Sequence, residues 1–242
     1  MLEVHAPNET VRTWKDFFVH IAAISVGLLI AVGLEQSVET LHRGYERAAL
    51  REDLHTESRQ VLADSRRAET AHLYELHWLT ARISQVRAAI WEGHPVGARD
   101  PNDMPYYASP DTPIWRSAKA GAQTPLLTKG EVNAYAEVEY VQTHVEALDY
   151  AKNTAESGIR SFNREFPGLL NGDPDLSKAS AQDLHTYLTL LTTTYEAVAT
   201  YIHWVRVLTG AELAIIDGKT NLEEIYASER KVTNDDMTHN FM

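Results

Sequence analysis

The chain's most uniform pattern comes first: FFVHIAAISVGLLIAVGL, Phe17 to Leu34, contains no Asp, Glu, Lys or Arg. At ~1.5 Å per residue this run spans about 27 Å, close to the ~30 Å hydrocarbon core of a bilayer. Eleven of its residues are Phe, Val, Ile or Leu, each worth roughly −0.3 to −0.6 kcal/mol of insertion, which outweighs His20, Ser25 and the two glycines. Trp14 precedes it by one turn, where an indole suits the interface. Two other readings share the pattern. A core helix would show a polar face, and none is present; a signal peptide could be cut near the small Ala31 and Gly33. The run predicts a retained transmembrane helix over 17–34, with 1–16 as a cytoplasmic N-terminal segment.

Beyond it the pattern turns helical and amphipathic. From Glu35 to Trp91 there is no proline and one glycine, Gly44, and Ala, Leu, Glu and Arg dominate. The membrane helix is expected to run on as a stalk. Leu76, Leu79, Ile83, Val86 and Ile90 alternate spacings of three and four, a packing seam. Residues 92–113 carry Gly, Pro, Asp, Asn and the Tyr106-Tyr107 pair without a helical period, a loop of a length often functional. A short helix over 114–120 follows.

Thr128-Lys-Gly-Glu131 is a capping box. It starts a seam of Val141, Val145, Leu148, Lys152, Ala155, Ile159, Phe162 and Phe166, stopped by Pro167 and the Asn171-Gly-Asp-Pro174 turn. A third seam, Leu184, Leu188, Leu191, Tyr195, Val198, Ile202 and Val205, leads to a break at Asp217-Gly218. Thr220 and Glu223 form a second box for a terminal helix. The polar tail from Lys231 to Met242 is expected to be disordered alone. The fold class is all-α: one transmembrane helix continuing into an elongated three- to four-helix bundle, with 35–230 as stalk and bundle and 231–242 as tail.

Charge narrows the partners. With 22 Lys+Arg against 34 Asp+Glu the formal net charge is −12, which repels nucleic acid. There are no cysteines, so thiolate metal sites, disulfides and a cysteine nucleophile are excluded. Lys15 abuts the start of the span and Glu35 and Glu39 its end, favouring a cytoplasmic N-terminus and a periplasmic domain.

Candidate contact residues are Ala23, Gly27 and Ala31, a small-residue stripe that admits a neighbouring helix, together with Tyr106 and Tyr107. Arg43, Arg47 and Arg51 could meet lipid phosphates or an acidic partner, or pair along their own helix, as Glu39 four residues before Arg43 suggests. His20 is a weak candidate for a pigment or haem ligand. Glu69 and His72 form one Glu-x-x-His, half of a di-metal pattern whose second copy is missing. No cofactor is expected. No GxSxG, P-loop, GxGxxG or HExxH is present.

The opening EVHAPNETVRTWKDFFVHIAAISVGLLIAVGLEQSVE and the central IWRSAKAGAQTPLLTKGEVNAYAEVEY resemble a set of bacterial single-pass membrane proteins with no known activity. The resemblance implies a bacterial inner membrane protein and carries no site residues. The expected role is a non-catalytic accessory or scaffold subunit of a larger membrane complex, respiratory or photosynthetic, whose partners are other membrane subunits and the bilayer. The alternative is a free-standing periplasmic sensor whose helical module binds a ligand; a small molecule is not otherwise expected.

Overall fold

The computed structural model describes residues 14–96, 107–167 and 174–235. Among these the chain is all-helical, with five α-helices: α1 (Trp14–Glu92), α2 (Pro113–Ala120), α3 (Lys129–Glu165), α4 (Ala181–Ile216) and α5 (Leu222–Asp235). Short 3-10 turns lie at Thr124–Leu126 and Leu176–Lys178.

The helix boundaries follow from local chemistry. No proline interrupts α1, and it stops at Gly93, whose φ of +71° suits a residue without Cβ. At the start of α3, Thr128 accepts from the Glu131 N–H while Glu131 accepts from the Thr128 N–H, the expected capping box. The α4 start carries a further box, Ser180 with Asp183. Its end is a Schellman turn: Lys219 N–H bonds the Ala214 carbonyl and Gly218 N–H the Ile215 carbonyl, with Gly218 at φ +77°. The terminal helix departs from expectation. Asn221, not Thr220, caps it, its side-chain oxygen accepting from the Glu223 N–H at 2.9 Å. Thr220 instead lies against Gly130, where an added Cβ would meet its Oγ1 at 2.9 Å. The expected tail is also shortened, because α5 carries Lys231 to Asp235; residues 236–242 lie outside the described residues.

The chain divides into two units, Met1–Leu50 and Arg51–Met242. In the first, every described residue before Leu50 is exposed. In the second, α1, α3 and α4 share one apolar core: Leu79 and Val86 from α1, Ile159 and Phe162 from α3, and Tyr187, Leu191, Val198 and Ile202 from α4. Leu76, Ile83 and Ile90 pack against its edge, as their spacing predicts. Rings of Phe162 and Tyr187 stack at 4.7 Å, and the Arg82 guanidinium lies over Tyr187 at 5.8 Å.

The stalk expectation needs correction. Helix α1 does continue unbroken, yet Leu54, Val61, Ala68, Ala71 and Leu79 are buried. Its C-terminal part is therefore one of the packed helices. Upstream of Leu76 the sequence conceals the seam because its other buried members are polar: Glu57, Ser58, Asp64, Ser65, His72 and Glu75.

Helix α5 closes on α4 at one point that only glycine permits. A Cβ on Gly210 would stand 2.5 Å from the Glu229 Cα. Beside this contact burial pushes the Glu229 carboxyl up to about 7, with Glu137 adding to the shift.

Candidate functional site

Two surfaces carry chemistry, one in each unit. In the first unit it is the apolar run itself. One helix long and apolar enough to cross a membrane is present among the described residues, and none of its apolar window is buried within the chain. Leu28 and Leu29 are 65% and 70% exposed. Trp14, Phe17 and Phe18 gather at its N-terminal end, ring centroids 5.8 to 6.1 Å apart. The predicted contact residues Ala23, Gly27 and Ala31 are exposed, as is His20. A Cβ on Gly27 would meet nothing within 4 Å.

The arginines after the run separate in role. Arg43 pairs with Glu39 one turn earlier, the pairing along the helix that their spacing predicted. Arg51 is engaged within the second unit: its guanidinium forks the Glu131 carboxylate, Nε to Oε1 at 2.7 Å and Nη2 to Oε2 at 2.9 Å. That carboxylate, already the α3 cap, is held below its usual range by Arg51 and Thr128, against the opposing effect of burial. Arg47 is exposed and also has an interaction partner.

In the second unit the chemistry is buried. Lys152, from the α3 seam, has a side chain only 2% exposed. Its ammonium donates to the Tyr107 hydroxyl at 3.0 Å and lies 3.4 Å from both Asp149 and Glu156. The rings of Tyr107 and Tyr201 stand 5.6 and 5.5 Å from Nζ. Burial alone would lower the Lys152 pKa; the Tyr107 bond and the two carboxylates reverse this, and the net shift is upward. The same burial raises Tyr107 and Tyr201.

His72 completes the cluster, edge-on to Tyr107 at 4.6 Å and to Tyr201 at 4.8 Å. Its Nδ1 meets Glu75 Oε2 at 2.8 Å, which in the neutral ring places the proton on Nδ1. Nε2 of His72 and the Tyr201 hydroxyl are buried without hydrogen bonds. A carboxylate-oriented imidazole is the shape of a general base. Here its ring neighbours are the phenols of Tyr107 and Tyr201, and among the described residues no serine or threonine hydroxyl is bonded to it.

The Glu-x-x-His pair divides between two partners. Glu69 takes Arg206 of α4, Nε to Oε1 at 2.6 Å, whereas His72 takes Glu75. Among the described residues no three His, Asp or Glu side chains gather as metal ligands. Of the tyrosine pair, Tyr107 joins the Lys152 cluster and Tyr106 lies outside the described residues.

The chain matches no family model, no curated protein and no solved structure. The resemblance of its opening segment therefore assigns no family.

A second buried polar layer was not anticipated from the sequence. Glu57 of α1 accepts from the N–H groups of Ile114 and Trp115, satisfying the first turn of α2, whose own Thr112 makes no side-chain cap. Trp115 then stacks on Tyr135 at 5.5 Å and donates from Nε1 to Glu139 at 3.0 Å. Lys119 binds the same carboxylate. Nearby Glu212 of α4 is 1% exposed. Burial pushes its carboxyl up to about 8, against a hydrogen bond with Ser58 and with the Glu57 charge adding to the rise. For Lys152 a signal existed, since a lysine in an apolar seam needs partners inside. For Glu212, between Ala211 and Leu213, the neighbours conceal any signal.

Proposed function

We propose that the chain is a single-pass bacterial inner-membrane protein serving as a non-catalytic accessory or scaffold subunit. Its apolar helix seats it in the bilayer beside other membrane subunits, and the packed helices of residues 51–235 form the extramembrane module. One observation carries the reading: a continuous helix exposes an uncharged 18-residue apolar stretch on all sides. Water would penalise that surface at roughly 25 cal/mol per Å², and a bilayer removes the penalty. The buried clusters support a structural rather than a chemical role for the module. Lys152 is answered by Tyr107, Asp149 and Glu156, and Glu57 serves as a cap. Lys15 before the span, with Glu35 and Glu39 after it, favours a periplasmic module.

The test is fractionation of the full chain in a bacterial host, comparing the native sequence with Leu28→Arg/Leu29→Arg. Each arginine at mid-span costs about 2.5 to 3.5 kcal/mol of insertion. The native chain should stay in the carbonate-washed membrane pellet and sediment in mild detergent with companion subunits; the double variant should leave the pellet. A native chain found in the soluble fraction would overturn the anchor. Sedimentation without companions would overturn the accessory role.

A further inference from the structure

Between the apolar run and Leu50 lies a stretch of α1, residues 35–49, whose residues are all exposed. Its large apolar residues are three, Val38, Leu41 and Tyr45, exposed by 66%, 64% and 75%. They stand at spacings of three and four, and Leu34 precedes Val38 by four. The same alternation continues backwards into the apolar run through Ala31 and Gly27. One stripe of period 3.5 thus crosses from the run into the polar stretch without a change of phase. Inside the run, where all faces are apolar, this stripe carries Gly27 and Ala31 before Leu34. Outside it, where other faces are polar, it carries the large apolar residues.

We propose that two copies of the chain pair in parallel through this stripe, Gly27 to Tyr45. The proposal rests on the anchor reading above for its orientation, because two chains inserted the same way can meet only in parallel. A 3.5-residue repeat keeps a helix facing an identical neighbour as the two coil, and small residues at the stripe let backbones approach in lipid. The flanks are compatible with a second copy. In a parallel pair in register, Ser37 of one helix faces His42 of the other and no carboxylate faces a carboxylate. Two of the charged side chains are already answered along the helix, Arg43 by Glu39 and Glu46 by His42 at 3.1 Å. The area also suffices. Leu34, Val38, Leu41 and Tyr45 leave on the order of 100 Å² each, about 400 Å² per chain. Gly27 and Ala31 add on the order of 100 Å², so a pair buries roughly 1,000 Å² in all, the lower bound for a specific interface.

The absence of cysteines from the chain makes the test direct. Single variants Val38→Cys, Leu41→Cys and Tyr45→Cys on the stripe, and Thr40→Cys and Arg43→Cys off it, are oxidised in the host membranes as full-length chains. All three stripe positions should give covalent dimer at about five-fold or more the yield of the two others. Adding Leu41→Glu to Tyr45→Cys should abolish the dimer; the site is exposed, so the module stays folded. Equal yields at all five positions, or none, would overturn the pairing. Dimer at Leu41 alone would overturn the parallel arrangement. Carbonate washing of the same membranes separates the two readings. A retained chain without stripe-specific dimer defeats the pairing and leaves the anchor. A released chain with stripe-specific dimer defeats the anchor and upholds the pairing.

Discussion

The two halves of α1 invert the usual relation between polarity and burial. Before Leu50 the helix is at its most apolar, and Ile24, Leu28, Leu29 and Leu34 are all exposed. After Leu50 it is rich in charged and hydroxyl residues, and Glu57, Ser58, Ser65, His72 and Arg82 are buried. A water-soluble helix packs its apolar stripe inward and leaves charges outside. The first half breaks that rule because nothing among the described residues covers it. The second half bends it by giving buried polar groups partners on α1 itself, as with His72 and Glu75, or at the start of a neighbouring helix, as with Glu57 and α2. The difference teaches that polarity alone does not decide burial: the first half leaves its apolar surface open, while the second packs polar and apolar residues alike against other helices.

The sharpest way to break this comparison is to make one substitution in each half. Leu79 is fully buried in the shared core and Leu41 is 64% exposed. Leu79→Ala should cost about 2 to 5 kcal/mol, the transfer loss plus the cavity left behind. Leu41→Ala should leave the unfolding midpoint unchanged within about 0.5 kcal/mol. Denaturant unfolding in detergent, at dilutions where the chain is monomeric, measures both. Equal costs would mean that residues before Leu50 are also part of a packed core.

A smaller effect probes the buried acids. The Glu212 carboxyl stands at about 8 in the folded chain against an ordinary 4.5. The folded form therefore keeps a proton that the unfolded chain has already released. Its stabilising contribution is complete below about pH 4.5 and is lost as the pH rises toward about 8. Glu212→Gln, which imitates the protonated side chain, should flatten this dependence. It should raise stability at pH 8 by up to about 4 kcal/mol and change little at pH 5. Unfolding curves for both proteins across pH 5 to 8 check it; parallel pH profiles would show that the proton is not held at Glu212.

How much of this was legible beforehand depends on whether a pattern was local or shared. The apolar run, the continuity of α1, the Thr128 box and the breaks at Gly93 and Gly218 follow from neighbours in sequence, and the structure repeats them. The three seams were readable where they were apolar. Their polar members were not, because Glu57 and His72 look like solvated residues until the partner helix is in place. The Glu57 contact joins residues 57 and 58 positions apart, beyond any helical period. Thr220 fits the Thr-x-x-Glu box pattern better than Asn221, yet an asparagine side chain reaches the N–H two residues on just as well. Tyr107 was singled out by its loop, but its partner Lys152 lies 45 residues away.

The smallest predicted effect tests whether the second half of α1 is matched to its neighbours or merely covered by them. Glu57 offers both carboxylate oxygens to two successive N–H groups at the start of α2, and burial raises its pKa against those two bonds. Glu57→Gln keeps the shape and one acceptor but turns an amide NH₂ toward the other N–H, leaving a buried donor unmet. The expected cost is about 1 to 2 kcal/mol, within the range for a lost helix cap. Hydrogen exchange should quicken at Ile114 and Trp115 before it does in α3 or α4. Because α2 reaches its cap only through α1, that local opening would show the polar half of the long helix holding its neighbour by a specific bond. Uniform exchange across all helices would instead mean that burial at Glu57 is incidental to how α2 is held.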